Sequence, residues 1–183
     1  MGACQVIEVN SQKPLLGSGF CASGGDDMPV KISDLIDEMD LQFDETFHYL
    51  NKETGAFVMV SAEILSIAEE SDEDDDFSGY PDWQKEEILG AIDIIDNWDK
   101  YVELPSKYEI NEYNIMEEFC LSLNDEQIGD RLLSAIRGKG AFRRFKDSII
   151  RLGLGEKWYG FHWEALQEIA VEWCEDNDIP YIL

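Results

Sequence analysis

The sequence predicts an α+β fold in which helices dominate, with about six or seven helices and one β-hairpin near residues 43–60. Three observations carry this. Apolar residues recur at three- and four-residue intervals along most of the chain after residue 28. Residues 43–50 and 56–60 instead alternate or run apolar on either side of the turn cluster 51–55. Capping signals and glycine breaks then punctuate the second half.

Taken in order, residues 1–27 hold five of the 14 glycines, little charge and no sustained period, and read as a flexible leader. They carry no chemistry, and are expected to precede a single acidic helix-rich domain over 28–183. Met1-Gly2 resembles a myristoylation start, but Val6 stands where serine or threonine is needed. Ile32, Leu35, Ile36 and Met39 mark a short amphipathic helix over 32–41. The hairpin follows, and Ser61 suits the cap of a helix over 62–70. Residues 69–76 contain seven acids in eight positions, and are expected to form a solvated loop without stable structure.

Pro81 suits a first helical position, and Trp83, Ile88, Ala91, Ile92, Ile95 and Trp98 continue helical spacing to about residue 99. Residues 101–104 are a short extended piece closed by Pro105. Ser106 and Glu109 have capping-box spacing before a helix over about 109–122, and 124–127 repeats that form before one over about 125–137. Glycines at 138 and 140, then 153 and 155, separate two further helices, 141–152 and about 156–176.

Composition bounds function. The 183 residues include 40 acids against 14 bases, for a net charge of −26. Such a surface repels phosphate backbones and anionic membranes. No apolar run approaches the length of a membrane span, so a cytoplasmic protein with no membrane partner is expected. Cys4, Cys21, Cys120 and Cys174 share no CxxC spacing and read as free thiols.

The charge is segregated. Residues 131–151 hold Arg131, Arg137, Lys139, Arg143, Arg144, Lys146 and Arg151 against one acid, Asp147. That window carries +6 and leaves −32 for the remainder. On the 141–152 helix, Phe142, Phe145, Ile149 and Leu152 are expected to face the core and Arg143, Arg144, Asp147 and Arg151 the other side. Three readings compete for this island: contact with phosphate or nucleic acid, pairing with acids of the same chain, or docking of an acidic partner. No Walker pattern is present.

Asp72, Asp74 and Asp76 match the first three ligands of an EF-hand loop, but Phe77 replaces its glycine and Trp83 its final glutamate. No metal or cofactor is therefore expected. His48 and His162 lie outside any catalytic motif, and no catalytic residue is assigned. A thiol–imidazole pair with Cys120 or Cys174 is the remaining enzymatic reading.

Residues 114–119, residues 131–147 with their GAFRRFKD core, and Trp158-Tyr159-Gly160-Phe161 leading to Trp173-Cys174-Glu175 occur in an order that resembles a bacterial uncharacterised protein family. That family, of the UPF class, comprises small acidic cytoplasmic proteins, and the resemblance spans about residues 28–179. It implies a soluble one-domain protein and brings no activity, cofactor or catalytic residue.

The function expected first is a non-enzymatic binding or regulatory protein whose acidic surface engages a basic macromolecular partner, with Asp72, Glu73, Asp74, Asp75 and Asp76 as contacts. The alternative is a regulator that contacts nucleic acid through Arg137, Lys139, Arg143, Arg144 and Arg151.

Overall fold

The computed structural model describes residues 28–72 and 74–183. The leader, with Cys4 and Cys21, and Glu73 lie outside the described residues. A two-residue strand β1 (Val30–Lys31) runs straight into helix α1 (Ile32–Asp40). Its four periodic apolar residues, Ile32, Leu35, Ile36 and Met39, are all buried, as their spacing requires.

The hairpin follows as β2 (Thr46–Asn51) and β3 (Phe57–Ser61), paired antiparallel with Tyr49 opposite Val58. Asn51 organises the turn: its Oδ1 accepts the amides of Glu53 and Thr54 at 3.0 and 3.1 Å. Ser61 caps α2 (Ala62–Glu70) by accepting the Ile64 amide at 3.3 Å.

Helix α3 (Asp82–Asp96) begins one residue after Pro81, which occupies the cap position rather than the first turn. It also stops earlier than its apolar spacing suggests. Asn97 leaves helical geometry, and Trp98–Lys100 tighten into a 3-10 turn that feeds β4 (Tyr101–Glu103). Strand β4 pairs antiparallel with the free edge of β2, so the expected hairpin is the larger part of a three-stranded sheet ordered β3-β2-β4.

The helix expected over 109–122 is two helices. Ser106 and Glu109 form the full capping box at the start of the single-turn α4 (Lys107–Ile110). Asn111 then adopts left-handed geometry (φ 49°, ψ 60°) and opens α5 (Glu112–Ser122), its side chain accepting the Asn114 amide at 3.3 Å. Asparagine tolerates that conformation better than most side chains. Helices α6 (Glu126–Ala135), α7 (Ala141–Leu152) and α8 (Gly155–Asp176) complete the bundle. Strand β5 (Tyr181–Ile182) returns to pair parallel with β1, Val30 opposite Tyr181. Among the described residues, seven helices have nine or more residues, and α4 is a single turn.

Two apolar clusters hold these elements. The larger joins α1, α5, α6, α7 and α8 around Phe119, which meets Phe145, Trp158 and Phe161 edge-on at centroid distances of 6.1, 5.3 and 5.5 Å. Burial of a ring this complete stabilises the fold by about 1.5–3 kcal/mol. The smaller cluster packs α2 and α3 against the sheet through Tyr49, Val60, Ile64, Ile88 and Ile94. No helix of the described residues is long and apolar enough to cross a membrane.

Candidate functional site

Helices α6 and α7 form an antiparallel hairpin, and their packing places the basic segment at the surface. Asp125 starts α6 by accepting the Gln127 and Ile128 amides at 3.0 and 3.1 Å. Leu132 and Ile136 then turn into the core, as do Ala141, Phe145 and Ile149 of α7. Every base of the segment, Arg131, Arg137, Lys139, Arg143, Arg144, Lys146 and Arg151, is exposed.

None of these bases forms an ion pair with a carboxylate among the described residues. Pairs there do join other elements, such as Lys100 with Glu53 and Lys107 with Asp44, both at 3.2 Å. The reading in which the island clamps the chain's own acids is therefore not what the described residues show.

Arg144 has a different occupation. Its Nε donates to the Ala135 carbonyl at 2.9 Å, Nη1 to that of Lys139 at 2.5 Å, and Nη2 to those of Arg137 and Gly138 at 2.6 and 3.4 Å. These carbonyls form the C-terminal end of α6 and the connecting turn, where helical partners have run out. The planar guanidinium fork suits such converging acceptors, and its charge complements the negative end of the helix dipole. Gly138 (φ +73°) and Gly140 (φ +79°) let the turn close around it, and a Cβ on Gly140 would stand 3.2 Å from Arg144 Nη1. Arg144 is thus a scaffold residue, and it leaves the set of bases free to meet a ligand.

Helix α7 also departs from the expected faces. Its buried line runs through Ala141, Phe145 and Ile149, which rotates Phe142 to the rim, where it is 48% exposed. Ile150 is 76% exposed. The solvent face therefore alternates Phe142 and Ile150 with Arg143, Lys146 and Arg151. Below it, a groove of about 390 Å³ opens between α6 and α7, lined by Arg131, Ser134, Ser148 and Arg151 together with one carboxylate, that of Asp130. The two serine hydroxyls donate back to their own helices, to the carbonyls of Asp130 and Arg144 at 2.9 and 2.7 Å. The positive charge of the groove thus comes from Arg131 and Arg151.

The acidic segment is a surface loop, but it has more local structure than self-repulsion suggests. Asp75 accepts the Asp72 amide at 3.0 Å, and Asp76 accepts the Ser78 amide at 2.9 Å. Hydrogen bonds from the Ser78 amide and hydroxyl hold the Asp76 carboxyl below its usual range. Phe77, in left-handed geometry, packs against Tyr80 at 6.4 Å and anchors the turn. Asp72, Asp74, Asp75 and Asp76 remain exposed.

No thiol–imidazole hydrogen bond forms among the described residues. Cys120 and Cys174 are free and buried, and burial pushes both thiols up to about 11, away from the thiolate a nucleophile needs. His48 is buried in β2, with Nδ1 3.4 Å from Glu38 Oε2. His162 is half-buried, and its Nε2 lies 2.7 Å from Glu112 Oε1, while Asp40 brings a second carboxylate to the same place. The Glu112 hydrogen bond holds the His162 imidazole above its ordinary range. This trio escaped the sequence reading because its members lie far apart in the chain, and carboxylates carry little signal where there are 40 acids.

The family model described as "Uncharacterised protein family (UPF0158)" matches residues 26–183. A curated relative, UPF0158 protein PA5073 of Pseudomonas aeruginosa, is 32% identical over 66 residues, covering 36% of this chain and 43% of the relative. The chain thus spans less than half the length of that relative. No solved structure matches the chain significantly.

Proposed function

The chain belongs to the uncharacterised protein family UPF0158, and from its own residues we propose that it is a non-enzymatic protein that contacts nucleic acid through the α6–α7 hairpin. One observation carries the reading: six bases besides Arg144 stand exposed around one helical hairpin, unpaired with carboxylates among the described residues. Arg131 and Arg151 flank a groove that suits a phosphate, and Arg137, Lys139 and Arg143 extend the positive strip along the turn. Phe142 supplies an exposed ring beside Arg143 on which a base can stack.

The charge of −32 on the rest of the chain works with this arrangement. It lowers affinity overall, and it also turns a polyanion away from every other face, so that encounter is productive in one orientation. Two free, buried cysteines suit a reducing, cytoplasmic setting for such a protein.

Anisotropy titrations with single-stranded RNA and duplex DNA test the proposal. With about four phosphates neutralised, raising salt from about 50 to about 200 mM weakens binding about a hundredfold. Arg131→Ala with Arg151→Ala, or Arg143→Ala alone, weakens it at unchanged thermal stability. No binding at low salt, or binding indifferent to these changes, rejects it. The exposed carboxylates of Asp72, Asp74, Asp75 and Asp76 support the second reading, capture of a basic protein. That reading gains only if salt-sensitive capture is lost when these aspartates are replaced by asparagine.

A further inference from the structure

The geometry points to a binding site for a first-row divalent cation of the zinc type formed by Asp40, Glu112 and His162. Each residue comes from a different element: Asp40 ends α1, Glu112 opens α5, and His162 lies in the N-terminal half of α8. One ligand atom from each lies within 4.8 Å of the other two. Ligands at zinc distances of about 2.0–2.2 Å stand about 3.4 Å apart in tetrahedral geometry, so small rotations of Asp40 and Glu112 bring the three onto one ion.

The donor set fits such an ion. One imidazole nitrogen and two carboxylate oxygens suit zinc, cobalt or manganese, whereas calcium takes six to eight oxygens and magnesium keeps mostly water. Two carboxylates neutralise a dication, and the chain's net charge of −26 favours the approach of cations. Lys146 is the charge that opposes it. The imidazole is held in place, since its ring packs 5.1 Å from that of Trp158, itself buried in the core. Glu112 already hydrogen-bonds Nε2, so the ion replaces a proton in an existing histidine–carboxylate contact. Asp40 is exposed, which leaves the remaining coordination positions to water. A bound ion would tie the end of α1 to α5 and α8. The inference is independent of the nucleic-acid reading.

The test is calorimetric titration of zinc into the full chain with Cys4→Ser and Cys21→Ser, so that the leader thiols supply no ligands, under excess magnesium to occupy ordinary carboxylates. One equivalent of zinc should bind. Asp40→Asn or His162→Gln should weaken it about tenfold or more, at least what disturbing a metal's ligand environment costs. Asp37→Asn, on the exposed side of α1, should leave it unchanged. The Asp40 side chain makes no hydrogen bond among the described residues, so its variant keeps the fold and remains informative if His162→Gln does not. Cobalt in place of zinc should show weak visible bands without a thiolate charge-transfer band. Zinc uptake that persists in Asp40→Asn, a thiolate band, or no uptake under magnesium overturns the site.

Discussion

Replacing Arg144 by alanine removes all the side-chain hydrogen bonds that close the turn between α6 and α7, to the carbonyls of Ala135, Arg137, Gly138 and Lys139. A buried charged donor set of this size would contribute several kcal/mol, but water can replace much of it at an exposed site. A net loss of about 1–2 kcal/mol follows from typical hydrogen-bond contributions of about 0.5–1.5 kcal/mol and the lost helix-end charge. For a domain of this length that lowers the melting temperature by roughly 3–6 °C. Lysine should recover less than half of the loss, since one ammonium cannot span carbonyls on both sides of the turn. Arg143→Ala is the control, because that neighbour makes no side-chain hydrogen bond among the described residues and should leave the melting temperature within about 1 °C, an ordinary surface change. Differential scanning calorimetry of the three variants decides the matter. An unshifted melting temperature for Arg144→Ala, or an equal fall for Arg143→Ala, would refute the scaffold role.

Two further outcomes are expected. Glu109 accepts the Ser106 amide and hydroxyl, both at 2.7 Å, and these bonds hold its carboxyl below the usual range. Its stabilising effect is complete above the ordinary glutamate pKa and lost as pH falls through the lowered folded value. The gap in urea midpoint between wild type and Glu109→Gln should therefore be open at neutral pH and close under acid, and a gap that widens in acid would contradict this. With thiol pKa values of about 11, Cys120 and Cys174 expose roughly one thiolate in a thousand at pH 8, so iodoacetamide should label them only after denaturation. Peptide mapping checks the result, and rapid native labelling of either would show that the core opens.

Much of the architecture was legible because burial imposes a period. Ile32, Leu35, Ile36 and Met39 could only be one face of a helix, and all four are buried. The hairpin announced itself through a turn cluster between β-rich runs. What escaped has no period to read. Strands β1 and β5 are two residues each, too short to alternate. The break at Asn111 rests on one left-handed residue inside a helical pattern. From spacing alone Phe142 belongs to the core face, since it lies two turns before Ile149, although packing against Trp158 centres α7 on Phe145 instead, with rings 4.7 Å apart. At the candidate interface the cluster of bases was plain in the sequence. That one of them, Arg144, faces carbonyls across a turn could be known only from the backbone that presents them.

The pairing of β1 with β5, and the seat of α1 on α8, bear on how the protein is made. Synthesis at about 5–20 residues per second leaves roughly 7–30 s between addition of Met39 and addition of Ile182. Throughout that interval the apolar stripe of the first helix has no final resting place, because its partner has not left the ribosome. The apolar face of α1, Leu35 and Ile36 included, therefore gains its full cover only once α8 has been made, a long-range closure that follows from the topology.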